Sequence, residues 1–258
     1  MTASPAPTRR RFLVQAASAA GAVITSGFVV ALVLPEGARA SPTLSARARA
    51  LADHKFVYLI DTRKCIGCGS CVRACRAEND VPERYFRTWI ERYQIAFENE
   101  TTVDSPDGGE KGFPATKGGG DVRKSFFVPK ICNHCEDTPC TQVCPVGAAY
   151  TSPEGVVLVD KQHCIGCGYC VQACPYGSRY MNPKGYADKC TFCYHRVARG
   201  LKPACVAACP VSARVFGDLN DARSELRRVM DTSRHGVLKA HLGTHPKCVY
   251  VGLGQEVT

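Results

Sequence analysis

Five short stretches of this chain carry a readable pattern of hydrophobic and polar positions. "FVYLID" (56–61) and "GVVLVD" (155–160) are apolar runs that each end in an acid, and they read as strands. "TWIERYQIAF" (88–97) alternates as a half-buried strand does, and "KCVYVG" (247–252) is strand-like as well. "DLNDARSELRRVM" (218–230) reads as a helix capped by Asp218 or Asn220. Soon after the alternating stretch comes "DSPDGGEKGFPATKGGGD" (104–121), whose six glycines and two prolines predict a loop. The surrounding segment is expected to be a solvated insertion, the alternative being a partner-docking flap carrying Trp89 and Phe113.

The N-terminus has a different texture. Phe12 to Leu34 is 23 residues without a charge, long enough to span a bilayer, but Gln15, Ser18, Gly21, Thr25, Ser26 and Gly27 dilute it. Arg9 and Arg10 precede it, and Ala38-Arg39-Ala40 follows Pro35. This resembles a twin-arginine export signal, with cleavage expected before Ser41. The expected location is the periplasm, peripherally at the membrane through partners. That route carries proteins already folded, as a cofactor-loaded protein requires, whereas a disulfide protein can cross unfolded and oxidise outside.

Composition changes the picture at one residue type. Seventeen cysteines in 258 residues are many, and the number is odd. Sixteen fall into four groups: Cys65, Cys68, Cys71, Cys75; Cys132, Cys135, Cys140, Cys144; Cys164, Cys167, Cys170, Cys174; and Cys190, Cys193, Cys205, Cys209. Cys248 is left over and is expected to be a small buried residue. Two-residue spacings let a tight loop bring thiolates to one cube of iron and sulfide while backbone N–H groups point at the sulfurs. Gly67, Gly69, Gly166 and Gly168 permit that path. The cysteine three residues further on is expected to sit on a helix leading away and to reach the neighbouring cluster. Proline follows it in three groups, and Arg76 in the first. Disulfides do not require such spacing, and zinc sites come as two separated pairs.

The charge of +10 points less to nucleic acid than its size suggests. The first 40 residues hold +3 of it, and four oxidised clusters at about −2 each would bring the remainder to roughly −1. No basic run interleaved with aromatics is present, so no nucleic-acid partner is expected. Lys64, Lys130, Lys161 and Lys189 flank the groups and read as surface residues or as cations that raise cluster potentials. His134, His163 and His195, beside ligands, read as partly exposed fillers or as hydrogen-bond donors to sulfur. No phosphate loop, catalytic triad or flavin fingerprint is visible, so no catalysis is expected from this chain alone.

Groups one and three share "CIGCG-x-C-V-x-A-C", and each follows within four residues of an acid that ends a strand-like run. The repeat predicts a duplicated strand–loop–helix unit, an α+β fold of bacterial-ferredoxin type present twice. These motifs, with "RAENDVPERYFRTWIERY" (76–93) and "HLGTHPKCVYVG" (241–252), resemble the four-cluster electron-transfer subunits of molybdopterin oxidoreductases and related respiratory complexes. The resemblance spans residues 55 to about 220 and implies four [4Fe–4S] clusters. It further implies a relay between a catalytic subunit, of molybdopterin type, and a membrane quinone-reactive anchor or cytochrome; a free-standing polyferredoxin shuttle is the alternative. Because the fourth cysteine of a ferredoxin group serves the other cluster, groups must work in pairs. Groups two and three adjoin, so they form an inner module (127–175), and groups one and four an outer one (41–76 with 176–258), with 77–126 as the insertion. The expected sets are Cys65, Cys68, Cys71 with Cys209; Cys75 with Cys190, Cys193, Cys205; Cys132, Cys135, Cys140 with Cys174; and Cys144 with Cys164, Cys167, Cys170. The plainer alternative is one cluster per group.

Overall fold

The computed structural model describes residues 53–115 and 122–257; the export signal read at residues 1–40 lies outside them. Strand β1 (Phe56–Asp61) is the centre of a four-stranded sheet. It pairs in parallel with β11 (Cys248–Val251) and antiparallel with β9 (Arg214–Asp218), and β10 (His235–Gly236) closes the far edge. The continuous apolar run of β1 reflects burial on both faces. Because side chains alternate, Val57 and Leu59 pack with Val249, Val251 and Leu226, while Tyr58 and Ile60 pack with Cys71, Cys190, Cys205, Cys248 and Tyr250. One face of the sheet is thus an ordinary apolar layer and the other is lined by sulfur.

Leu226 belongs to helix α6 (Glu225–Thr232), which covers the apolar face. It starts later than residues 218–230 predict, and its cap is Ser224, whose Oγ accepts from Arg227 N–H at 3.1 Å. Asp218 is unable to cap it, since it ends β9 and accepts from the backbone N–H groups of Lys55 and Asn220.

The alternating stretch forms β2 (Thr88–Ala96), the middle of an antiparallel sheet with β3 (Thr101–Asp104) and β4 (Val122–Ile131). The expected solvated insertion is therefore tied down where it is described. Its tip makes a tight turn at Pro106–Gly109, with Asp107 and Gly108 in left-handed backbone and Gly108 and Gly109 buried. Phe113 packs on Phe127, and Trp89 Nε1 donates to Glu91. Neither aromatic stands free as a flap residue would.

Two ribbons complete the fold: β5 (Ala149–Thr151) with β6 (Val157–Val159), and β7 (Arg179–Met181) with β8 (Ala187–Lys189). β6 is shorter than "GVVLVD" because Ser152 and Gly155 form the turn before it. Among the described residues no helix is long and apolar enough to cross a membrane.

Candidate metal centres

Each cysteine group is a loop entering a short helix. Group one runs from β1 into α1 (Ser70–Asn79), ten residues long, with Cys75 inside it. The other three enter helices of four residues: α2 (Pro139–Gln142), α3 (Tyr169–Gln172) and α5 (Ala204–Ala207), the last preceded by α4 (Tyr194–Val197). Here Cys144, Cys174 and Cys209 lie beyond the helix rather than on it, contrary to expectation. The cause is the following proline, which disfavours helical backbone at the residue before it. Arg76 imposes no such stop, so α1 alone continues.

The loops need left-handed backbone. Gly67 and Gly69 take it in group one, Gly166 and Gly168 in group three. Groups two and four reach the same conformation without glycine, at His134 (φ 44°) and Phe192 (φ 54°). Both rings are buried and stack at 3.6 Å between centroids, and His134 Nδ1 accepts from Val157 N–H at 3.0 Å. Packing holds a backbone that the residue type disfavours. His134 is thus a structural residue and not the partly exposed filler expected; burial pushes its pKa well below the ordinary value, so it is neutral. His195 is exposed and pairs with Glu78, and His163 is exposed.

Gly69 offers a test. A Cβ there would lie 2.2 Å from Glu110 O, which is backbone and unable to swing away, whereas Gly168 faces open space at a similar φ. Left-handed strain alone costs about 1–2 kcal/mol in either place. Gly69→Ala is expected to lower the thermal midpoint of the loaded protein by more than Gly168→Ala, which should itself cost about 2–4 °C per kcal/mol. Equal midpoints for the two variants would show that residues 109–113 do not clamp the first loop.

The structure gathers the sulfurs into four neighbourhoods drawn from different groups. Cys75, Cys190, Cys193 and Cys205 line one cavity, and Cys144, Cys164, Cys167 and Cys170 line another. Cys65 lies within electrostatic reach of Cys71 and Cys209, and Cys71 of Cys68. Cys135 has Cys132, Cys140 and Cys174 around it. Electrostatic reach also runs between neighbourhoods, from Cys71 to Cys205 and from Cys190 to Cys132. Among the described residues no three His, Cys, Asp or Glu side chains converge on a single-ion site; a cube differs in placing each thiolate on its own iron. Cys248 is buried outside all four sets, and burial pushes its thiol up to about 12.

These surroundings fit an anionic cluster. Backbone N–H groups of His134, Ala149, Ala187, Phe192 and Ala213 donate to the sulfurs of Cys132, Cys144, Cys164, Cys190 and Cys209 at 3.3–3.5 Å. Tyr58 OH lies 3.1 Å from Cys205 Sγ, and Asn79 Nδ2 donates to Cys193 Sγ at 3.5 Å. Asn79 is held in turn by Arg87, whose buried guanidinium pairs with Asp188 at 2.8 Å. Burial pushes the thiols of Cys65 and Cys135 up to about 11 and raises those of Cys75, Cys190 and Cys205. Such sulfurs become thiolates when a metal compensates the charge. Of the flanking lysines, Lys64 and Lys161 are exposed and Lys130 pairs with Glu91, but Lys189 is fully buried, which its sequence context does not signal. Arg179 and Arg214, equally buried, carry no signal in the sequence at all.

With this geometry in hand, comparison with known proteins is direct. Two family models, each described as a 4Fe-4S dicluster domain, match residues 64–148 and 123–219. Two such domains in tandem, with mixed helix and strand content, give four [4Fe–4S] clusters. The chain is 38% identical over 249 residues to a tetrathionate reductase subunit of Salmonella typhimurium, covering 95% of this chain and 88% of that one. It is 47% identical over 200 residues to a tetrathionate reductase subunit of Archaeoglobus fulgidus, covering 77% and 83%. It is 41% identical over 177 residues to a thiosulfate reductase electron transfer subunit of Salmonella typhi, covering 68% and 81%.

Proposed function

This chain belongs to the family of iron–sulfur electron-transfer subunits of reductase complexes, and from that premise we propose that it relays electrons between a molybdopterin-type catalytic subunit and a quinone-reactive membrane protein or cytochrome. It is not itself the catalytic subunit. Each cluster supplies a one-electron acceptor and donor; the protein's part is to hold the four close together and to shield them from water.

The observation that carries this reading is the convergence of cysteines from different groups. We assign the ligand sets as Cys65, Cys68, Cys71, Cys209 for the first cluster and Cys75, Cys190, Cys193, Cys205 for the second. Cys132, Cys135, Cys140, Cys174 hold the third, and Cys144, Cys164, Cys167, Cys170 the fourth. The cavities lined by the second and fourth sets support this. Groups one and four form the outer module, a division supported by β1 lying beside β9 and β11. The electrostatic proximity of Cys71 to Cys205 and of Cys190 to Cys132 supports an order in which the second cluster lies between the first and the third.

The site of work is the periplasm, reached folded through Arg9 and Arg10. Affinity purification of the tagged chain from the membrane fraction of its own cells is expected to bring down a large molybdenum-containing chain in equal amount. Recovery of the chain alone and soluble would overturn the relay in favour of a free shuttle. The same preparation from cells carrying Arg9→Lys with Arg10→Lys should leave cluster-loaded chain in the cytoplasm. Undiminished export would rule out the twin-arginine route for this leader.

A further inference from the structure

Arg179 and Lys189 are partners in register across the β7–β8 ribbon. They are 4% and 1% exposed. Like charges directly opposite on a ribbon repel, and burial adds the loss of hydration. A third cation, Arg214, is 3% exposed on β9. None of the three is in any of the ion pairs among the described residues. No guanidinium nitrogen of Arg179 has an oxygen partner. Lys189 Nζ donates only to the carbonyls of Val157 and Cys190. Arg214 donates to Tyr58 OH at 3.2 Å and Thr88 Oγ1 at 2.9 Å. A protein does not keep three such charges inside without an anion to balance them.

Their positions identify the anions. Arg179 lies within electrostatic reach of Cys132 and Cys140, of the third set, and of Cys170, of the fourth. Burial disfavours the charge on Lys189, and Cys132, Cys190 and Cys140, all within electrostatic reach, favour it; its Nζ donates to the carbonyl of Cys190 at 2.7 Å. Arg214 reaches Cys71 and, through Tyr58 OH, the sulfur of Cys205. On the ligand sets assigned above, on which this inference rests, each residue stands at one junction of the series: Arg214 between the first and second clusters, Lys189 between the second and third, Arg179 between the third and fourth.

We propose that Arg214, Lys189 and Arg179 are potential-setting residues, one buried cation at each junction of the relay, each raising the reduction potential of the two clusters it separates. Reduction adds negative charge to a cluster, and a fixed cation in a weakly screening interior favours it. One cation between two clusters acts on both, so the second and third clusters, each bordered by two cations, are lifted further than the first and fourth, each bordered by one.

The test is EPR-monitored redox titration of the complete, cluster-loaded chain carrying Arg179→Gln, Lys189→Met or Arg214→Gln, with iron counted first. Each variant is expected to lower two potentials, with a reduced-to-oxidised ratio at fixed potential down about tenfold, or about 59 mV for a one-electron couple. The pattern of overlap needs no prior assignment of signals. Arg179→Gln and Lys189→Met share one shifted cluster, Lys189→Met and Arg214→Gln share another, and Arg179→Gln and Arg214→Gln share none. Arg179→Lys keeps wild-type potentials. No shift, an equal shift of all four, or a cluster shared by the two arginine variants overturns the proposal. Should Arg179→Gln lose iron, full iron in Arg179→Lys supports the role of the charge, and equal loss overturns it. If the cysteine variants described below behave as expected while these potentials stay put, this inference alone fails. If the cysteine variants misbehave, the ligand sets fall first.

Discussion

Protein purified without oxygen will carry about sixteen iron atoms and about sixteen acid-labile sulfides per chain, and stripping the iron will unfold it. The second half of this expectation follows from how little the chain can bury without its clusters. Three of its cysteine-bearing helices are four residues long, far below the length at which a helix is stable alone. Two of its sheets are two-stranded ribbons of three residues a side, which are marginal in isolation. The main core is itself lined by Cys71, Cys132, Cys190 and Cys205. Removing the clusters would leave cavities walled by thiols and would expose Arg179, Lys189 and Arg214 to one another's repulsion without a counter-charge. Metal-binding free energy is then folding free energy. A strong chelator under mild denaturant should bleach the visible absorption and abolish the far-ultraviolet circular dichroism in one transition. An apoprotein that keeps its secondary structure, or a native preparation holding zinc and no iron, would refute this account.

The second large effect distinguishes cross-ligation from one cluster per group. Cys209 belongs by sequence to group four but lies within reach of Cys65 and Cys71 of group one. Cys75 belongs to group one but lines the cavity of Cys190, Cys193 and Cys205. Serine is a poor substitute for a thiolate, so each replacement should disturb the cluster that the residue serves. The double Cys209→Ser with Cys65→Ser is therefore expected to alter one cluster's EPR signal. The double Cys209→Ser with Cys190→Ser should alter two. The reverse outcome, two signals for the first double and one for the second, would assign one cluster to each group.

Much of this molecule is legible in its sequence because the signals are local. Strand β1 occupies the whole of "FVYLID" because apolar residues on successive positions have only the two faces of a sheet to fill, and both are covered. The sixteen cysteines announce themselves through a two-residue spacing at the start and a three-residue spacing at the end of every group, although four residues separate Cys135 from Cys140 and eleven separate Cys193 from Cys205. The premature ends of α2, α3 and α5 are legible too, in Pro145, Pro175 and Pro210, although the reading of the spacing carries the helix through the cysteine before each proline. The late start of α6 is harder to read. Asp218, Asn220 and Ser224 are all competent caps, and only the pairing of β9 with β1 removes Asp218 from the choice.

The chemistry is written along the chain itself: how many thiolates there are, their grouping, and the absence of substrate machinery. Which thiolates share a neighbourhood, and what surrounds them, is settled only by folding. Tyr58, Cys205 and Arg214 meet across separations of about 150 residues, and no periodicity of 2 or 3.6 encodes that. His134 and Phe192 stand where groups one and three have glycine, and nothing in "CNHC" or "CTFC" shows that their rings will stack and hold the backbone in a left-handed turn. A single Arg or Lys between polar neighbours reads as surface because hydration makes the surface its usual place. Arg179, Lys189 and Arg214 are buried because four groups of thiolates, brought together by the fold, supply the anionic surroundings that make burial tolerable, and that compensation exists only once the chain has closed around them.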